Sequence, residues 1–170
     1  MARMPQIRLP IALAAASALL AACATHPAGD SGPYRAASLR PYEVNGQTYR
    51  PHIVTRYEQI GEASWYDYPA HSRRTAIGDW FDGGAMTAAH RTLPLPCLVE
   101  VTNLDNGRTI RVEVNDRGPF EQGRLIDLSR AAADRLGFSR QGTARVRVRF
   151  LGPAAEPAVV GMAGVAPADG

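Results

Sequence analysis

The chain has 170 residues, of which 45% are hydrophobic, and a formal net charge of +3 from 19 Lys+Arg and 16 Asp+Glu. Arg3 and Arg8 belong to an N-terminal leader, and without them the chain lies within one charge of neutral. That balance gives no case for nucleic-acid binding, which needs a concentrated basic face.

Residues 1–22 read as a secretory signal. Arg3 and Arg8 give a positive start, and Leu9 to Ala22 is an almost unbroken Ala/Leu run. At ~1.5 Å per residue that run is too short to cross a ~30 Å hydrocarbon core. Leu20-Ala21-Ala22-Cys23 resembles a bacterial lipobox, which makes Cys23 the expected lipidation site. Several acyl chains at ~0.8 kcal/mol per buried methylene anchor stably. Ala24 follows where an Asp would retain a lipoprotein in the inner membrane of enteric bacteria. The expected location is therefore the periplasmic face of the outer membrane. Cys97, in Leu95-Pro96-Cys97-Leu98-Val99, is then left without an intrachain partner and is expected as a buried small hydrophobe.

Residues 23–40, rich in Ala, Gly, Pro and Ser, read as a flexible tether, and 41–60 as a hairpin-bearing extension. Asn45-Gly46 within Tyr42 to Tyr49 suits a type I′ turn. A dense domain is expected over 61–152, followed by a Pro/Ala/Gly tail over 153–170. Apolar residues alternate in Val99-Glu100-Val101-Thr102, in Ile110-Arg111-Val112-Glu113-Val114 and in Ala144 to Phe150. Asp105-Asn106-Gly107 links the first two as a hairpin, and the third sets Arg145, Arg147 and Arg149 on one solvated face. One helix is expected, capped by Ser129 and stopped by Gly137, with Leu128, Ala132 and Leu136 on a shared side. Short strands, one helix and long loops point to a mainly β fold, a small closed barrel without exposed edges. Trp65, Tyr66, Trp80 and Phe81 are expected to carry much of its core.

Three segments carry ionisable groups beside turn-forming residues: Thr75 to Asp82, Thr87-Ala88-Ala89-His90, and Val114 to Phe120. Loop carboxylates plus a histidine on a stiff scaffold suit acid–base chemistry on a sugar bond. His26, His52, His71 and His90 show no metal-ligand spacing, so no metal or other cofactor is expected.

Six motifs run in a fixed order: Gly61 to Tyr66, Thr75 to Asp82, Met86 to Pro94, Val101 to Leu104, Val114 to Phe120 and Arg124 to Ser129. Their order and spacing resemble the rare lipoprotein A family. The resemblance implies a six-stranded double-psi β-barrel, related to expansins and barwin-like glucanases. It also implies an endolytic transglycosylase that cuts peptidoglycan strands lacking stem peptides and leaves 1,6-anhydro-muramic ends. Protein partners are not implied. By position in the motifs, Asp79 stands where the family carries a catalytic Glu, and His90 and Asp116 match family site residues. Asp82, Asp127, Trp65, Tyr66 and Arg117 are the matched candidates for holding substrate. Each has a plainer reading: turn capping for Asp79 and Asp82, a core histidine for His90, and an Asp116–Arg117 pair closing a turn. For Asp127 the plainer reading is helix initiation, and for the aromatics it is core packing. A non-catalytic, expansin-like peptidoglycan-binding lipoprotein is the alternative function. No SPOR domain is expected, so the septal targeting of many relatives is not carried over.

Overall fold

The computed structural model describes residues 33–69 and 73–154. The signal segment, Cys23 and the tail from residue 155 lie outside the described residues.

Eight strands and one helix follow in order. A hairpin, β1 (Tyr42–Val44) and β2 (Gln47–Tyr49), precedes the barrel. Asn45 and Gly46 between them have φ of 51° and 75°, the two positive values that a type I′ turn requires. The barrel consists of β3 (Glu58–Tyr66), β4 (Thr87–Ala89), β5 (Cys97–Asn103), β6 (Thr109–Asp116), β7 (Arg124–Ser129) and β8 (Thr143–Pro153). It closes in the order β3-β7-β4-β6-β5-β8, with β3–β7 and β4–β6 parallel and the other pairs antiparallel. This is a double-psi β-barrel. Its first strand starts at Glu58, three residues before the expected boundary.

Period-two patterning builds the wall. Along β5 the residues alternate between buried and partly exposed, starting from buried Cys97. Along β8 the buried Ala144, Val146 and Val148 alternate with exposed Arg145, Arg147 and Arg149. Of that arginine row, Arg149 pairs with Glu100 at 2.8 Å across the outer face. Val99, Val101, Val112, Val114, Ile126, Leu128, Val146 and Val148 form the centre of the core. Each contributes about 1.5–3 kcal/mol by burial. Helix α1 (Arg130–Leu136) covers part of this core with Ala132, Ala133 and Leu136. Ser129 Oγ accepts from the Ala132 N–H, and Gly137 ends the helix at φ 78°.

The expected aromatic core is corrected in part. Phe81 is fully buried, Trp65 and Tyr66 are half-buried, and Trp80 is 48% exposed with Arg74 lying 3.9 Å above its ring. Branched aliphatic side chains fill a barrel this narrow, leaving the large rings to its rim. The expected tether is also corrected at its end. Ala36–Leu39 forms a 3-10 turn held to the barrel, with the Arg35 N–H and the Ser38 hydroxyl both donating to the Leu95 carbonyl.

Candidate active site

The register places four side chains in a row across four adjacent strands. On β3, Ser64 sits beside Asp127 of β7; Asp127 opposes Ala89 of β4; Ala89 pairs in turn with Asp116 of β6. Two carboxylates thus flank one small residue. At ~4.8 Å per strand spacing, their Cα atoms stand about 10 Å apart. Asp127, Ala89 and Asp116 all line an open groove of about 190 Å³, with Tyr66, Tyr68, Arg73, Phe120, Glu121 and Arg124 around them. Gly118, at φ +137°, turns the chain along one side of this groove, where a β-carbon would be strained.

The two carboxylates differ in environment. Asp116 is almost fully enclosed. Its Oδ1 accepts from the backbone N–H groups of Ala76 (2.9 Å) and Arg117 (2.8 Å), while Oδ2 pairs with the Arg73 guanidinium at 3.0 Å. Asp127 has weaker support. Arg124 donates to Ser64 Oγ at 2.8 Å, Ser64 donates to Asp127 Oδ1, and Arg124 lies 3.6 Å from Oδ2. Burial raises the Asp127 pKa, with Glu121 adding to the rise, while Ser64 and Arg124 pull in the opposite direction. A carboxyl group pushed toward its protonated form in an open groove is equipped to donate a proton. Tyr66 lines the same groove, and its hydroxyl is buried without a hydrogen-bond partner. Its pKa is raised by burial and then by Asp116, so the phenol stays protonated.

The other expected site residues fall elsewhere. Asp79 is exposed and is not among the residues lining the groove; its backbone carbonyl closes the 75–79 turn by accepting from the Thr75 N–H at 2.8 Å. Its charge is felt at Glu113, whose pKa is raised first by partial burial and then by Asp79. Asp82 caps a turn, accepting from the Gly84 N–H at 2.8 Å, and lines a separate cleft with Asp67 and Arg130. Trp65 turns its indole N–H to the Ser139 carbonyl at 3.0 Å and packs against the core.

Arg117 borders the groove, but its guanidinium is committed to three carbonyl groups, those of Ser38 (2.6 Å), Leu93 (2.7 Å) and His90 (3.0 Å). It forms no side-chain pair with Asp116; Arg73 takes that role. Asp127 lies within β7 rather than at the start of α1, where Ser129 alone supplies the cap.

His90 is buried, and both ring nitrogens are engaged away from any carboxylate. Nδ1 accepts from the N–H groups of Thr92 (3.2 Å) and Leu93 (3.1 Å), so the proton sits on Nε2 and is donated to the Tyr57 hydroxyl at 2.9 Å. Tyr57 passes its own proton to Gln59 Oε1 at 2.7 Å. Burial lowers the His90 pKa to about 3, and the Arg91 and Arg117 charges add to the effect. The imidazole is therefore neutral and fastens the 90–93 turn. Because the His90 N–H donates to the Asp116 carbonyl at 3.0 Å, that turn also holds the end of β6.

Tyr68, Arg73, Glu121 and Arg124 line the groove beyond the expected candidates, and Ser64 joins them as a donor to Asp127. Ser64 and Arg124 sit inside the expected motifs, Arg124 three residues before Asp127 on β7, but the Ser64–Asp127 contact depends on a parallel pairing with a residue 63 positions away in the chain.

The architecture and its groove define a double-psi barrel protein with two carboxylates on the groove floor, and comparison with known families narrows the class. The family described as lytic transglycolase matches residues 58–148, more than half of the chain, and the chain belongs to it, within the RlpA group. The endolytic peptidoglycan transglycosylase RlpA of Pseudomonas aeruginosa is 54% identical over 114 residues, 66% of this chain and 33% of its own. Its namesake in Neisseria meningitidis is 49% identical over 119 residues, 69% of this chain and 50% of its own. The chain thus spans a third to a half of the length of these relatives. Among solved structures, the apo expansin of Clavibacter michiganensis aligns over 59% of this chain and 54% of its own, with a TM-score of 0.48 at 19% identity.

Proposed function

We propose that this protein is a lytic transglycosylase that cleaves the β-1,4 bond after N-acetylmuramic acid in peptidoglycan strands lacking stem peptides. The observation that carries the reading is the Asp127–Ala89–Asp116 row on the groove floor, with the Asp127 pKa raised. Ala89 leaves room for a sugar ring between the carboxylates. Protonated Asp127 gives its proton to the glycosidic oxygen as the bond to the anomeric carbon breaks and positive charge develops there. The sugar's own 6-hydroxyl then attacks that carbon, and its proton returns to the Asp127 carboxylate. One residue serves as acid and then base, so no water needs activation.

The Tyr66 ring lines the groove beside the sugar, and Asp116 shapes the floor while held by Arg73. His90 and Arg117 are positioning residues that hold the Asp116 end of β6. Asp79, exposed on the 75–79 turn, takes no part in the proton transfer in this reading. The Leu20-Ala21-Ala22-Cys23 motif supports a lipid anchor on Cys23 and a place on the periplasmic face of the outer membrane.

The test is to incubate the full chain, purified in detergent after expression in a Gram-negative host, with peptide-free glycan strands and to weigh the products. Anhydro-muramyl ends are expected, together with acyl mass on Cys23. Reducing ends would make it a hydrolase, and binding without products would make it a glycan binder.

A further inference from the structure

The groove at 190 Å³ is smaller than the ~300 Å³ at which small-molecule sites usually begin, and it holds too little of a polymer to grip it. A second cleft of about 370 Å³ adjoins it, lined by Val44, Asn45, Gln47, Tyr49, Phe120 and Gln122. Phe120, 39% exposed, lines both, so one aromatic side chain joins the two hollows. The second cleft is built by the β1–β2 hairpin, which lies before the family match begins.

Aromatic packing fixes the hairpin in place. Tyr42 and Tyr49 stack at 5.2 Å, Tyr49 meets Phe120 at 5.5 Å, and Tyr42 meets the edge of Phe120 at 6.2 Å. The Tyr42 hydroxyl donates to the Arg91 carbonyl at 2.9 Å, and the Arg117 guanidinium lies 5.8 Å from its ring. Each aromatic pair is worth about 0.5–1.5 kcal/mol beyond its buried area.

The lining of the second cleft carries no charged residue. It offers two aromatic faces and the amides of Asn45, Gln47 and Gln122. Apolar ring faces with neutral amides around them match an uncharged N-acetylhexosamine, whose ring presents C–H groups to aromatics and whose hydroxyls and acetamide bond to amides. A lactyl carboxylate or an acidic stem peptide would find no cation there. From this continuity and this neutrality we infer that the hairpin cleft is a second sugar subsite, occupied by an N-acetylglucosamine unit of the strand that runs past Phe120 from the groove. The subsite presupposes that the groove takes a glycan.

The test uses the full chain carrying Asp127→Asn, so that strands are held without being cut, and chitin oligomers of increasing length as the probe. Calorimetry is expected to show affinity rising by about three- to tenfold once the oligomer is long enough to pass Phe120, the scale of one aromatic contact. Tyr49→Ala should remove most of that rise. Gln122→Ala, exposed and outside the hairpin, should reduce it without risk to the hairpin's folding. Gln141→Ala, in a polar hollow beside the end of α1, serves as the control and should leave the rise intact. A length-independent affinity, or a rise that survives both Tyr49→Ala and Gln122→Ala, overturns the subsite. If the unsubstituted chain releases no anhydro ends while the length effect and its loss persist, the subsite stands and the transglycosylase reading falls.

Discussion

The groove floor and the loop from Arg73 to Asp82 carry acidic side chains of opposite standing. On the floor, Asp116 and Asp127 sit on barrel strands either side of β4, largely enclosed, with hydrogen-bond donors or a cation on their oxygens. On the loop, Asp79 and Asp82 are exposed, and the contacts around them close turns. A carboxyl group partly removed from water, as Asp127 is, moves toward the protonated form an acid catalyst needs. Matching a family motif therefore marks a residue's place in a sequence, and its surroundings decide what it can do with a proton.

The largest expected effect separates the two regions directly. Asp127→Asn should lower turnover by about 10²–10⁴-fold, the usual contribution of a general acid, while Asp79→Asn should cost less than about tenfold. Product release from peptide-free strands measures both. A loss at Asp79 equal to that at Asp127 would move the proton donor from the floor to the loop.

A second contrast concerns stability. Asp116→Ala strips the acceptor from two backbone N–H groups and from Arg73, and should cost about 2–4 kcal/mol in urea unfolding. Asp82→Ala removes one exposed turn contact and should cost no more than about 1 kcal/mol. Equal losses at the two positions would show that the floor is no better tied than the loop.

The third effect comes from His90 and is spread over a range of pH. Its folded pKa of about 3 lies below the unfolded value of 6.5, so below 6.5 the unfolded chain takes up a proton that the folded chain refuses. The stability that neutral His90 supports is full above pH 6.5 and is lost as pH falls from there toward 3, at no more than about 1.4 kcal/mol per pH unit. Unfolding free energy measured across that window should fall less steeply with acid in His90→Gln than in the unsubstituted chain. Identical slopes would mean that the imidazole is protonated in the fold.

Much of the barrel is legible in the sequence because its signals are local. Asn45-Gly46 dictates its own turn, Ser129 and Gly137 bound their helix, and the alternations in β5 and β8 mark inner and outer faces. Cys97, too, is buried as its apolar neighbours suggest, with its thiol pKa pushed up to about 12 by burial. The floor is less legible. Ser64, Asp127, Ala89 and Asp116 meet only through pairings between strands distant in the chain, two of those pairings parallel, and no local pattern fixes such a register. Arg117 illustrates the limit. Beside Asp116 in the sequence it resembles an ion-pair partner, yet an extended backbone sends neighbouring side chains to opposite sides, and its guanidinium ends on three carbonyls.

Those three carbonyls belong to Ser38, Leu93 and His90, so a single planar cation rivets the segment entering the barrel to the turn that holds the end of β6. Ser38 adds a second rivet through Leu95. Mechanical tension applied to the chain ahead of Ser38 thus loads Arg117 and the turn from His90 to Leu95, next to the end of β6 that carries Asp116.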